Sequence, residues 1–464
     1  MMRKQFAGFA ASALALAVSA QAMAGTVTTD GTDIVIKTKS GLEVATTDKQ
    51  YSFKLGGRIQ ADFDQFDGFY TANNSSANEA YFRRAILELT GNYKDWRYVF
   101  NYDFANGQAN NGAFGVDSKG KDLNSSSSTN WDEASIAYTG FAPVTIKAGR
   151  FDPDFGLQHA TSSKWVTFKE RAAIYDLAPW VNNKLDDMGV MVSGTTSGMF
   201  YGSAGVYQQE SKDGELEDEN GKDVNSFVAR GVIAPIVSET EVLHFGLDYA
   251  QRDYDELAFG GISSNLGVRG VSEDGTNNTP TPVLAKKSSS GYDDDQVYGL
   301  EFAYMTGPLS FEAEYLQRTL GGKSGHDDRE ATGYSAQVAY TLTGESRAYK
   351  LDGAKFDAIK PFDKVNGAWE VFYRYENLGV KDDDGLGVAG VDESSADLNI
   401  IGVNWYANEA VKVSLDYIRT STDDDTVALQ AGQVNGGGAP TSSRGADADD
   451  DSGQAISARV QYVF

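Results

Sequence analysis

The sequence predicts an all-β protein, a transmembrane antiparallel β-barrel with one long loop folded into its mouth. Three observations lead there. The chain opens on an export leader, stretches of about ten residues alternate strictly between apolar and polar side chains, and short turns alternate with long polar loops. Barrels can run long as one unit, and no Pro- or Ser-rich linker divides these 464 residues.

The leader comes first. Met1-Met2-Arg3-Lys4 is a basic start, residues 6–20 form a short alanine-rich apolar run, and Ala22-Met23-Ala24 supplies the small-x-small cleavage pattern. The reading is a signal peptide over residues 1–24 and a barrel over 25–464. The apolar run is too short for a spanning helix, and nothing later offers the roughly eighteen uninterrupted apolar residues one requires. An exported chain of this kind is either soluble or a barrel.

Residues 51–63 decide between the two. Tyr51, Phe53, Leu55, Gly57, Ile59, Ala61 and Phe63 share one face, against Ser52, Lys54, Gly56, Arg58, Gln60 and Asp62. Such a strand lies between lipid and water, and it is longer than most core strands of soluble sandwiches. In 96–104, Trp96, Tyr98, Phe100, Tyr102 and Phe104 oppose Arg97, Asn101 and Asp103; in 243–252, Leu243, Phe245, Leu247 and Tyr249 oppose His244, Asp248 and Arg252. Further copies occupy 297–305, 309–318, 333–342, 368–376, 398–406 and 411–419, with Gly307-Pro308 and Asn408-Glu409 as short turns. The last residues alternate again and end on Phe464, as outer-membrane barrels do. Only a closed barrel lets strands cross a bilayer with no unpaired backbone edge.

Residues 149–186 fit neither strand nor turn. They carry Arg150, His159, Thr161, Ser162, Ser163, Lys164, Lys169 and Arg171 among the anchors Phe151, Phe155, Trp165 and Trp180. Connections this long are functional or disordered, and the aromatic residues argue for a packed loop. It is read as the constriction, offering donors to a passing solute.

The net charge of −26 comes from 66 acidic against 40 basic residues, with no cysteine. Acidic runs at 213–223, 293–295, 382–384, 423–425 and 447–451 read as solvated external loops, with divalent bridging to lipopolysaccharide as a second reading. None has the spacing of a calcium-binding loop, and neither a metal nor a cofactor is expected. Screening over roughly 8 Å makes the pore lining matter more than the sum. That lining reads as basic: Lys37, Lys39, Lys49, Lys54 and Arg58 near the first strand, then Arg83-Arg84, Arg97, Lys147 and Lys412. Each alone could be a strand-edge charge or a partner for Glu88 or Asp103. Converging on a basic loop, they form the kind of ring by which pores select anions.

The segments GRIQADF, AYFRRA, NYDF, WDEASIAYTGF, GRFDPDFGL, ATSSKWV, YTLTGE, YKLDGAKFDAIKP, GAWEVFYRY and GVNWYANEAVKVS resemble the phosphate-selective porins O and P of pseudomonads. The resemblance runs from about residue 26 to Phe464, loops excepted. It implies a homotrimer of sixteen-stranded barrels, each narrowed by an infolded loop, for passive diffusion of phosphate, pyrophosphate, polyphosphate or related anions. It places the binding zone on Arg83, Arg84, Asp132, Ser162, Ser163, Lys164 and Arg171, to which Arg58 is added here as a basic residue on an inward face. It assigns a periplasmic-side cluster to Lys37, Lys39, Lys49, Lys54, Lys147 and Lys412, with Arg97 in place of one lysine.

Departures from the family pattern concern selectivity. His159 stands where the family has its central loop lysine, Ile86 and Asp152 replace the tyrosines of the strict monophosphate type, and of the external arginine ladder only Arg269 is left in residues 261–269. Charges about 4 Å apart at an effective dielectric near 20 interact by roughly 4 kcal/mol. Loss of that lysine is therefore expected to weaken binding by about two orders of magnitude, with histidine restoring charge only near or below pH ~6.5. The expectation is a weaker, broader, pH-sensitive anion site.

Two other functions compete with this reading. A general or other-solute porin without phosphate specificity fits the lost ladder and the acidic loops. An outer-membrane hydrolase would need Ser and His on one wall, but no lipase-type motif surrounds His159 and Ser162, or the other histidines, His244 and His326. No plug-sized domain precedes the first strand, as an energised transporter would need. No nucleic-acid partner is expected; outer-membrane lipid and lipopolysaccharide are.

Overall fold

The computed structural model describes residues 25–29, 32–38, 41–70, 76–105, 131–181, 188–209, 224–257, 261–270, 283–286, 292–323, 325–423, 426 and 451–464. The expected leader, Lys39, the acidic runs at 213–223 and 447–450, Asp424 and Asp425 lie outside them.

Alternating side chains produce sixteen antiparallel strands that close on themselves. In chain order they are β1 (Tyr51–Gly68), β2 (Ala77–Tyr93), β3 (Trp96–Asp103), β4 (Trp131–Phe141), β5 (Val144–Arg150), β6 (Met188–Thr196), β7 (Phe200–Gln209) and β8 (Val224–Val237). The second half comprises β9 (Glu241–Leu257), β10 (Tyr292–Thr306), β11 (Leu309–Gly322), β12 (Arg329–Thr341), β13 (Ala368–Lys381), β14 (Glu393–Tyr406), β15 (Val411–Thr422) and β16 (Asp451–Val463). Each pairs with the next, and β16 returns to β1 from Gly453↔Gly68 to Val463↔Arg58. Closure is finished by Phe464, which exchanges backbone bonds of 3.0 and 2.9 Å with Gly57. Gly57 is required there, since a Cβ would meet the Phe464 ring at 2.6 Å. Three short strands, Gly25–Thr29, Thr32–Lys37 and Leu42–Thr46, form a meander paired to the start of β1.

The faces separate as the alternation predicts. Phe53, Ile59, Phe63, Phe245 and Leu247 are exposed around the outside, whereas Gln60, Asp62, Asp64, His244 and Asp248 point inward and are buried. The inner wall thus carries a network of paired polar and charged groups. Asp295 is bound by Arg252 and Arg318 at 3.0 and 2.8 Å, and Asp382 by Arg329 at 2.8 Å. These two acids were expected among solvated loop charges; they are buried counter-ions, because Asp295 within β10 and Asp382 just past the end of β13 face arginines of neighbouring strands.

Among the described residues, the connections from β5 to β6, β9 to β10 and β12 to β13 fold inward; in that from β9 to β10, Leu266 and Val268 are buried and the Gly270 amide donates to Asp64 at 3.0 Å. The one from β5 to β6 was expected to leave the wall at Gly149, but β5 runs to Arg150 and the loop starts at Phe151. A buried loop needs partners for its backbone, and side chains of the wall supply them. Gly156 and Leu157 donate their amides to Asp248 and Glu314 at 3.0 and 2.8 Å, and the Lys169 amide donates to Asp416 at 3.0 Å. Carbonyls of Ser163, Lys164, Thr167 and Leu177 accept from Gln60, Gln461, Asn404 and Arg318. Trp180 is buried beneath the Arg252 guanidinium, 4.5 Å from the ring centroid, and Phe168 lies under Arg374 at 4.3 Å. The connection from β12 to β13 carries a small hairpin, Tyr349–Lys350 with Lys355–Phe356. Arg230 holds its Gly353 and Ala354 carbonyls at 3.0 and 2.9 Å.

Candidate functional site

Most of the expected binding residues gather where the infolded loop meets β1, β2 and β16. The geometry there starts from a register slip. Gln60 pairs with Arg84, but Ala61 pairs with Phe82, so Arg83 is an extra residue in β2. Such a bulge turns two consecutive side chains to the same face. Arg83 forks onto Glu170 of the loop, Nε at 3.0 and Nη2 at 3.1 Å, and Arg84 donates to Gln60 Oε1 at 3.1 Å. Among the described residues, no carboxylate lies within 4.0 Å of the Arg84 guanidinium.

The neighbouring cations are paired. Lys164 Nζ holds both oxygens of Glu88, at 3.0 and 2.9 Å, and Arg58 reaches Glu88 at 3.1 Å and Asp132 at 3.9 Å. Glu88 is thereby the shared counter-ion of two expected binding residues. Burial pushes the Lys164 ammonium down in pKa against the pull of Glu88. Glu170 also receives Arg459 Nη2 at 2.6 Å and lies 3.7 Å from Arg269 Nε. Burial alone would raise its carboxyl; Arg83, Arg459 and Arg269 hold it well below the usual range. The ladder remnant Arg269 therefore reaches the infolded loop itself.

The other expected residues divide into lining and scaffold. Ser162 and Ser163 sit in the turn before Lys164, where Ser163 gives its carbonyl to Gln60. His159 is half-buried in the one-turn helix Leu157–Ala160, its ring 5.8 Å from that of Tyr175. Asp152 is half-buried near the start of the loop, and Ile86 is buried on the inner face of β2, opposite Arg58. Arg171 is committed to the loop, donating to the carbonyls of Gln158 at 2.8 Å and Thr161 at 2.9 Å. Lys169 is buried between Asp62 and Asp64.

Several members of the expected basic cluster have partners of their own. Lys37 pairs with Glu43 at 3.3 Å, Lys147 with Glu133 at 2.7 Å, and Lys412 is buried under the loop, donating to Val166 and Thr167 carbonyls. Lys49 and Arg97 are exposed, and Lys54 is half-buried.

A closed outer-membrane-type barrel with guanidinium and ammonium groups around an infolded loop is the architecture of a porin. Residues 53–464 match the family described as Phosphate-selective porin O and P. The chain belongs to that family. Porin O of Pseudomonas aeruginosa is 50% identical over 479 aligned residues, covering 100% of each chain. The anion-selective porin from Comamonas acidovorans shares the fold at 13% identity and a TM-score of 0.53, over 89% of this chain and 100% of its own. The outer membrane channel DcaP of Acinetobacter baumannii aligns at 10% identity and a TM-score of 0.46, over 92% and 100%.

The chain is thus an outer-membrane porin. Reading its sequence missed Gln60, Glu170 and Arg459, which organise this site. Gln60 and Arg459 lie in the first and last strands of the barrel, and only closure of β16 on β1 makes them neighbours. Glu170 sits between Lys169 and Arg171, and an acid flanked by bases is a signal that could have marked it.

Proposed function

We propose that this porin passes phosphate and related oxyanions by passive diffusion, through a site centred on Arg84 and completed by Arg83, Arg58, Lys164, Ser162 and Ser163. The observation that carries this is Arg84, a guanidinium turned into the lumen by the bulge and matched there to an amide, not a carboxylate. A guanidinium fork suits the oxygens of phosphate. Asp132 and Glu88 orient the cations, and Asp132 can accept a hydrogen bond from protonated phosphate. With His159 in the loop, and with Glu88 and Glu170 pairing most other cations, the site is weaker and broader than a lysine-equipped one. The chain works after removal of residues 1–24, as a homotrimer in the outer membrane and without enzymatic activity.

A second reading, a general porin without phosphate specificity, is favoured by those same two acids. Planar-bilayer conductance separates them. Phosphate and pyrophosphate should inhibit chloride current in a saturable way, and a potassium chloride gradient should give an anion-selective reversal potential. Cation preference would defeat the proposal.

A further inference from the structure

We infer that the Glu170 carboxylate is a tethered anion, occupying the arginine cluster at rest and displaced by the oxyanion that passes. The inference rests on the proposed anion conduction and adds what sets its threshold. Glu170 accepts both arms of the Arg83 fork, at 3.0 and 3.1 Å, and Arg459 Nη2 at 2.6 Å, with Arg269 Nε at 3.7 Å. That arrangement is what guanidinium groups build around a bound carboxylate or phosphate. Its side chain is 12% exposed, so one side of the cluster is open.

The backbone beneath it is anchored separately from the side chain. Arg374 Nη1 donates to the Glu170 carbonyl at 3.1 Å, and Arg459 also binds the Lys169 carbonyl. Lys169 itself is locked between Asp62 and Asp64. Exchange of Glu170 for a passing anion therefore needs only side-chain rotation, with the loop in place. A halide makes too few directed contacts to replace a bidentate carboxylate, whereas a tetrahedral oxyanion reproduces the fork. Arg84, which has no ion-pair partner among the described residues, is the first contact, and the cluster held by Glu170 is the second. Glu170 thus acts as a specificity-determining residue that disfavours weak anions.

The test is phosphate inhibition of chloride current in planar bilayers, with the potassium–chloride reversal potential measured on the same channels. Saturable phosphate block in the unmodified porin checks the underlying conduction. Glu170→Gln keeps the shape and removes the charge. Its half-inhibiting phosphate concentration should fall by about tenfold, and its chloride preference should rise. Glu170→Asp, too short to span all three arginines, should shift both in the same direction by less, and it carries the test if the Gln variant fails to insert. Unchanged values would overturn the inference. Weaker block would also overturn it, since Glu170 would then be positioning the arginines for phosphate.

Discussion

Arg83 and Arg84 are neighbours in sequence and face the same lumen, although adjacent residues of a strand point to opposite sides. The bulge opposite Gln60 makes this possible, and the pair divides its work: Arg83 holds Glu170, and Arg84 holds the Gln60 amide. Consecutive arginines on a flat strand would have sent one guanidinium into lipid, where charge is strongly disfavoured.

Removing Arg84 should therefore injure anion binding more than removing an exposed cation. Hydrogen bonds to charged groups contribute ~1.5–3 kcal/mol, so Arg84→Ala should raise the half-inhibiting phosphate concentration by about tenfold or more. Arg97→Ala, at an exposed position, should change it little. Titration of chloride current with phosphate in bilayers checks both.

Lys164 makes the site sensitive to alkali. Burial lowers its pKa, so the ammonium is lost, as pH rises, before an ordinary lysine at about 10.4 would lose it. Sulfate keeps its charge over this range and serves as the probe. Its inhibition of chloride current should weaken with rising pH below that ordinary value. Lys164→Arg should flatten the profile, because a guanidinium stays charged. A flat profile in the unmodified porin would remove Lys164 from the site.

The loop's entry depends on Gly156. It adopts φ 82°, and a Cβ there would meet Tyr175 Oη at 2.1 Å. A non-glycine residue held at positive φ is strained by about 1–3 kcal/mol before that clash is counted. Gly156→Ala should shift the first turn of the loop off the wall. Larger single-channel conductance and weaker phosphate inhibition are the expected readings.

The barrel was legible because lipid on one side and polar groups on the other impose a period of two that no local context hides. Phe53, Ile59, Phe245 and Leu247 were placed outward from sequence and are exposed there. The loop was legible by its length and its aromatic anchors. Individual charges were less so. Lys412 and Lys169 resembled pore-lining cations and are buried fasteners of the loop, because the wall must supply donors and acceptors to any backbone it encloses. Asp295 and Asp382 resembled loop solvation and are counter-ions for Arg252, Arg318 and Arg329.

The order of residues alone determined the strands, their outward faces and the existence of one long anchored loop, since each depends on local periodicity or composition. Tertiary structure decided which cations keep free charge toward the channel. That depends on which carboxylate reaches which ammonium or guanidinium, and partners as distant in sequence as Asp62 and Arg459 meet only when the barrel closes.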